Sequence, residues 1–179
     1  MSVEVEVRSF ITKEEYENLV KFFEKNAKLL KSDSQETHYF TGDKDLRIQK
    51  NEHYSKVWLK KGNLHDYFRE EIEIKTDKES FHELSKLFKE LNYDVKIKWF
   101  RNRKVYKYKD YKAFLDHTKG YGYIIELEKI TKENDGKKIH STLLKELENL
   151  GIEITPKEDF IKKFEEYEKN WETLTKNSS

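Results

Sequence analysis

The chain has 179 residues, 40% of them charged and 14% aromatic, with a formal net charge of only +1. That length makes one domain with a substantial core the default, and the aromatic content with sustained periodicity excludes a disordered chain. The balanced charge argues against nucleic acid or a membrane surface as main partner, and the absence of cysteine excludes disulfides and thiolate metal sites.

The first strand is expected over Val3–Phe10, where charged and apolar residues alternate with period two. Glu4, Glu6 and Arg8 then project from one face, and Val3, Val5 and Val7 from the other. Thr12-Lys13-Glu14-Glu15 reads as a capping box opening a helix with Tyr16, Leu19, Val20, Phe23, Ala27 and Leu30 on its apolar stripe. Strands are expected at 35–41, 45–51, 54–61 and 66–76, with turn signals at Thr41-Gly42-Asp43, Asn51-Glu52 and Gly62-Asn63. A second helix opens at Asp77 or its neighbours and carries Phe81, Leu84, Leu87, Phe88 and Leu91 on one face. Three more strands fill 94–130, broken near Lys109-Asp110 and Lys119-Gly120. A third helix near 134–150 ends at Gly151, and Thr155-Pro156-Lys157-Glu158 opens a fourth with N-cap Thr155 and Pro at N1. Its stripe is Phe160, Ile161, Phe164, Tyr167 and Trp171. No linker or repeat separates these parts, so residues 1–179 are expected to form a single α+β domain with a helical C-terminal extension over about 155–175.

The charges of the strands recur in pairs at i and i+2: Glu4 with Glu6, Arg69 with Glu71 and Glu73, Arg101 with Arg103, and Glu126 with Glu128. Buried unpaired, each would cost several kcal/mol. Two arrangements resolve this. One is an open sheet with its charged face in solvent. The other, favoured here, is a closed antiparallel sheet around a hydrated lumen, where cations and anions from different strands neutralise one another inside while apolar residues face outward under the helices. The fold expected is therefore a β-tunnel of about eight strands with helices packed outside. Carboxylate pairs suit hard divalent cations with oxygen ligands, and arginine forks suit phosphate. A polyphosphate held with Mg²⁺ or Mn²⁺ needs both. No histidine spacing supports zinc, and no Walker sequence supports a P-loop. The basic stretch around Lys98–Lys109, with Trp99, Phe100, Tyr106 and Tyr108 interleaved, imitates a nucleic-acid platform but fits a strand with an aromatic outer face equally well.

In this order the motifs resemble the CYTH family, the triphosphate tunnel metalloenzymes, which include class IV adenylyl cyclases and thiamine or inorganic triphosphatases. Glu4-Val5-Glu6-Val7-Arg8 is similar to the hallmark Glu-x-Glu-x-Lys, with arginine at the lysine position. Leu46-Arg47-Ile48-Gln49 is similar to the Arg-x-Arg strand, with glutamine in second place, and Val57-Trp58-Leu59-Lys60 to the lysine-bearing strand. Arg69, Glu71 and Glu73 match Arg-x-Glu-x-Glu, and Arg101, Arg103 and Tyr106 match Lys/Arg-x-Arg-x-x-Tyr. Leu115-Asp116, Gly120-Tyr121-Gly122 and Glu126-Leu127-Glu128 match the late signature. The family's Ser-Tyr near the C-terminus is absent, and Lys157 stands near that position.

The resemblance implies a divalent-metal-dependent triphosphatase, acting as monomer or homodimer on a small triphosphate: tripolyphosphate, a nucleoside triphosphate or thiamine triphosphate. Glu4, Glu6 and Arg8 would organise catalysis. Arg47, Lys60, Arg69, Arg101, Arg103 and Lys157 would bind phosphate. Glu126, Glu128, Glu4, Glu6, Glu71, Glu73 and Asp116 would serve the Mg²⁺ or Mn²⁺. Cyclisation of ATP to cyclic AMP and pyrophosphate, and polyphosphate or nucleotide binding without catalysis, stand as alternatives. The N-terminus lacks the basic and apolar regions of a signal peptide, and no run approaches membrane-spanning length, so a soluble cytoplasmic protein is expected.

Overall fold

The computed structural model describes residues 2–60 and 71–176. Along them run β1 (Ser2–Ile11), α1 (Lys13–Asn26), β2 (Lys28–Phe40), β3 (Asp45–Lys50), β4 (Tyr54–Lys60) and β5 (Glu71–Asp77). After a 3₁₀ turn at Lys78–Ser80 follow α2 (Phe81–Glu90), β6 (Val95–Tyr108), β7 (Tyr111–Thr118), β8 (Gly122–Lys132), α3 (Gly136–Asn149) and α4 (Lys157–Lys176). The α+β class expected from the sequence holds. The strands form one sheet in the order β1-β8-β7-β6-β2-β3-β4-β5. The order ends at β1 on one side and at β5 on the other, and the expected closure is not among the pairings of the described residues. Among those residues no helix is long and apolar enough to cross a membrane.

Local signals place most elements. Thr12 caps α1 as read: its hydroxyl accepts from the Glu15 N–H at 3.1 Å, and the Glu15 carboxylate accepts from the Thr12 N–H at 2.6 Å. Gly151 takes the left-handed conformation after α3, with φ +78°. Two readings are corrected. The α1 stripe does not reach Leu30, because the chain turns extended at Ala27 and the Asn26 amide bonds the Phe22 carbonyl. β2 begins there at Lys28, and Leu30 is an exposed strand residue. Thr155 does not cap α4 either. Its hydroxyl accepts from the Phe10 N–H at 3.0 Å and lies 2.8 Å from the buried Ser9 hydroxyl, which donates to the Glu153 carbonyl. The helix starts instead with the Pro156 carbonyl accepting from Asp159 and Phe160. Residues 66–70 of the expected fifth strand lie outside the described residues.

The chain packs as two compact units. The first spans Met1–Ser32, Arg103–His117 and Tyr121–Lys162. Here the valine face of β1 and the Ile125/Leu127 face of β8 are buried with Leu19 and Phe23 of α1 and Leu143 and Leu147 of α3. Burying each such side chain contributes about 1.5–3 kcal/mol. Period two then sends the charged residues of the same strands to the opposite face.

The second unit spans Asp33–Asn102, Thr118–Gly120 and Lys163–Ser179. Phe40, Ile48 and Phe81 form its core, with Leu46, Val57, Leu84 and Phe88 packed against them. Of the expected α2 stripe, Leu87 and Leu91 remain exposed. Tyr167 is buried against Trp99, and its hydroxyl donates to the Lys98 carbonyl at 3.0 Å, while the Trp171 indole donates to Lys96 at 3.1 Å. The aromatic stripe of α4 is thereby tied to the backbone of β6.

Candidate active site

In the first unit the antiparallel register of β1 and β8 sets Glu6 directly across from Glu128 and Arg8 across from Glu126, with Glu4 across from Ile130. Residues opposite one another share a face, so the two Glu-x-Glu motifs line one surface. Like charges opposite each other, as at Glu6 and Glu128, destabilise a ladder unless a cation intervenes. Cations are at hand. Lys112 Nζ lies 3.0 Å from Glu128 Oε1, and Arg8 lies with its guanidinium 4.8 Å from the Phe160 ring centre.

Arg103 of β6 grips Asp116 of β7 with two parallel hydrogen bonds, Nε to Oδ1 at 2.7 Å and Nη2 to Oδ2 at 2.6 Å. Its Nη2 is also 3.9 Å from Glu126 Oε1, and its guanidinium lies over Phe114. Asp116 is 4% exposed. Burial works against the Arg103 cation, but the Asp116 carboxylate, backed by Glu126 and Glu128, outweighs it and holds its pKa above the ordinary arginine value. Glu4, Glu6, Arg8, Arg103, Asp116, Glu126 and Glu128 all belong to this unit.

The second unit holds Arg47, Lys60, Glu71, Glu73 and Arg101. Arg47 is fixed by Asp45 through Nε and Nη2, both at 2.6 Å, and its guanidinium lies 4.2 Å from the Tyr39 ring centre and 5.6 Å from that of Trp58. Glu73 bonds Lys56 at 2.7 Å and lies 3.6 Å from Lys75. Burial disfavours its charge, but the two lysines prevail and its pKa is lowered. Lys60 stands across from Asp45 on one side and Glu71 on the other in the strand register. Gln49, at the family's second arginine position, is buried and donates to Gln35 Oε1 at 3.2 Å and to Thr37 Oγ1 at 3.0 Å. Arg101 donates from Nε and Nη2 to the same Gln35 oxygen, at 3.0 and 2.6 Å.

Lys157 sits exposed at the first turn of α4, and Arg69 lies outside the described residues. Sequence reasoning missed Lys112, Lys56 and the buried set Asp33, Gln35, Thr37 and Asn51. The signal for Lys112 is its period-two spacing with Phe114 and Asp116, and for Lys56 its spacing with Trp58 and Lys60. Among the described residues no group of three or more His, Asp or Glu side chains converges as metal ligands. The oxygen donors present are nonetheless the type a hard divalent ion takes, and the facing Glu6 and Glu128 are a pair such an ion would relieve.

A sequence model of the CYTH domain matches residues 2–161. No curated protein matches the chain by sequence. Solved structures match it in fold. A conserved hypothetical protein from Pyrococcus furiosus is 21% identical at a TM-score of 0.72, over 84% of this chain and 91% of its own. The PH1012 protein from Pyrococcus horikoshii is 25% identical at 0.67, over 88% and 96%. HpAC1 from Hippeastrum, which has a dominant triphosphatase activity, is 19% identical at 0.63, over 85% and 89%.

Proposed function

Since this chain belongs to the CYTH domain family, we propose that it is a divalent-metal-dependent hydrolase of a small triphosphate, at work in the cytoplasm. The observation that carries this reading is the shared face of β1 and β8, where Glu6 meets Glu128 and Arg8 meets Glu126, with Arg103 and Lys112 reaching in from β6 and β7. That surface joins oxygen donors for a hard cation to fixed cations for phosphate.

Glu4, Glu6, Glu126 and Glu128 would hold Mg²⁺ or Mn²⁺. When bound, such an ion neutralises phosphate charge and lowers the pKa of a water. Asp116 serves by orienting Arg103, since both of its oxygens are engaged there. Arg8, Arg47, Lys60, Arg69, Arg101 and Arg103 would bind phosphate oxygens, each contact contributing about 1.5–3 kcal/mol. Guanidiniums pinned by Asp45 and Asp116 lose little freedom on meeting the ligand, and their stabilisation grows as negative charge moves to the leaving diphosphate. The proposal includes closure of the sheet into a charged tunnel. The triphosphatase activity of HpAC1 inclines the reading to hydrolysis over cyclisation.

The test is incubation with tripolyphosphate, ATP or thiamine triphosphate and Mg²⁺ or Mn²⁺, with products resolved by ³¹P NMR. Orthophosphate with a diphosphate is the expected result. Pyrophosphate with cyclic AMP would replace hydrolysis by cyclisation, and tight binding without product would make the protein a sensor. Neither turnover nor binding with any metal would overturn the triphosphate reading.

A further inference from the structure

A chain of hydrogen bonds runs through the buried side of β2 and β3 and ends on Arg101. It starts in the β3–β4 turn, where the Asn51 side-chain oxygen accepts from the His53 and Tyr54 N–H groups at 2.8 and 2.9 Å. The Asn51 amide nitrogen therefore faces Asp33 and donates to Oδ2 at 3.0 Å. Gln35 donates to the same carboxylate, at 3.2 and 3.4 Å, and accepts from Arg101 on its oxygen. A carboxylate only accepts and a guanidinium only donates, so the Gln35 amide has one permitted orientation. Gln49 supplies a further donor to that oxygen. Asp33, Gln35, Gln49 and Asn51 are each at most 8% exposed, so a broken link would leave a polar group buried without a partner.

We infer that Gln35 is a positioning residue that fixes the Arg101 guanidinium toward a polyphosphate, and that Gln49 keys Gln35 in place. This deepens the triphosphate reading and rests on it. Gln35 receives two of the guanidinium's N–H groups on one oxygen, which fixes the plane in which Arg101 presents its charge. The glutamine at 49 follows from the same geometry. A second guanidinium there would compete with Arg101 for one carbonyl oxygen and repel it.

The test uses ¹⁵N-labelled full-length protein, with the Nε–H resonance of Arg101 assigned by its loss in Arg101→Lys, alongside calorimetry with tripolyphosphate and with orthophosphate. A slowly exchanging Arg101 Nε–H is expected in the wild type. Gln35→Leu should return it to the exchange rate of exposed arginines and weaken tripolyphosphate about tenfold, as expected for one misplaced charged contact, with a smaller effect on orthophosphate. An unchanged resonance, or equal losses for both anions, overturns the inference. Should Gln35→Leu fail to fold, Gln49→Leu is judged on the same resonance: a faster exchange supports the positioning role and an unaltered one overturns it. If the wild type binds no tripolyphosphate, the proposed function falls, while the resonance still decides whether Gln35 positions Arg101.

Discussion

Replacing Asp116 by asparagine preserves the side chain's shape and removes the charge that balances Arg103. Asp116 is 4% exposed and meets Arg103, whose side chain is 17% exposed, through bonds of 2.7 and 2.6 Å, so the carboxylate is buried and its partner largely so. Breaking such a pair from one side costs about 3–5 kcal/mol, chiefly because a charge is left buried without its counter-ion. Two features reduce that here. An asparagine oxygen still accepts one bond, and Glu126 remains 3.9 Å from Arg103 Nη2. The expected loss is therefore about 2–3 kcal/mol, a fall in Tm of roughly 4–12 °C for a chain of this length. Urea unfolding followed by circular dichroism measures it. Removing both partners, as Arg103→Met with Asp116→Leu, should cost less than the two single losses summed, because no lone charge remains. An Asp116→Asn loss below about 0.5 kcal/mol, the scale of an exposed pair, would refute the reasoning.

Glu36, whose carboxylate accepts from His38 and Lys50 against the opposing effect of burial, has its pKa lowered to about 2. Its contribution is thus complete above the ordinary carboxylate range and is lost as pH falls from about 4.5 toward 2; discounted for solvent screening it is about 1–2 kcal/mol, so Glu36→Gln should flatten the acid limb of the stability curve. Parallel acid limbs for variant and wild type would contradict this. At Gly120, with φ +75°, an added Cβ would lie 2.8 Å from Leu174 Cβ and 3.0 Å from its carbonyl, so Gly120→Ala should cost about 1–3 kcal/mol in urea unfolding; a neutral substitution would count against that close approach. Glu126→Gln with Glu128→Gln should sharply reduce Mn²⁺ binding measured by calorimetry while the fold survives, and undiminished affinity would move the metal site elsewhere.

What was legible in the sequence was local. The alternation of β1 separates Val5 and Val7 from Glu6 and Arg8 without reference to any partner, and the Thr12 box and Gly151 act within one helical turn. The motif order then named Glu4, Glu6, Arg8, Arg47, Arg103, Asp116, Glu126 and Glu128, which the structure distributes over two compact units. The buried relay was not legible, because the Gln35 contact to Arg101 joins residues 66 apart and no short-range pattern marks it. Asp33 fell outside the strand expected from 35 onward, since Lys28–Ser34 carries no clean alternation. Thr155 was misread because its neighbours supply every helix-start signal, while the partner that claims its hydroxyl, Ser9, lies 146 residues away.

The pairing of β1 with β8 also governs how the chain emerges from a ribosome. β1 is made well before its partner, Gly122–Lys132, so at about 5–20 residues per second the strand waits roughly 6–25 s for its ladder. During that interval an extended segment with three valines on one face is open to any other nascent strand. Glu4, Glu6 and Arg8 interrupt it at every second position and oppose such encounters by charge. Neutralising them to enlarge an apolar surface would therefore lower soluble yield before it altered any folded molecule.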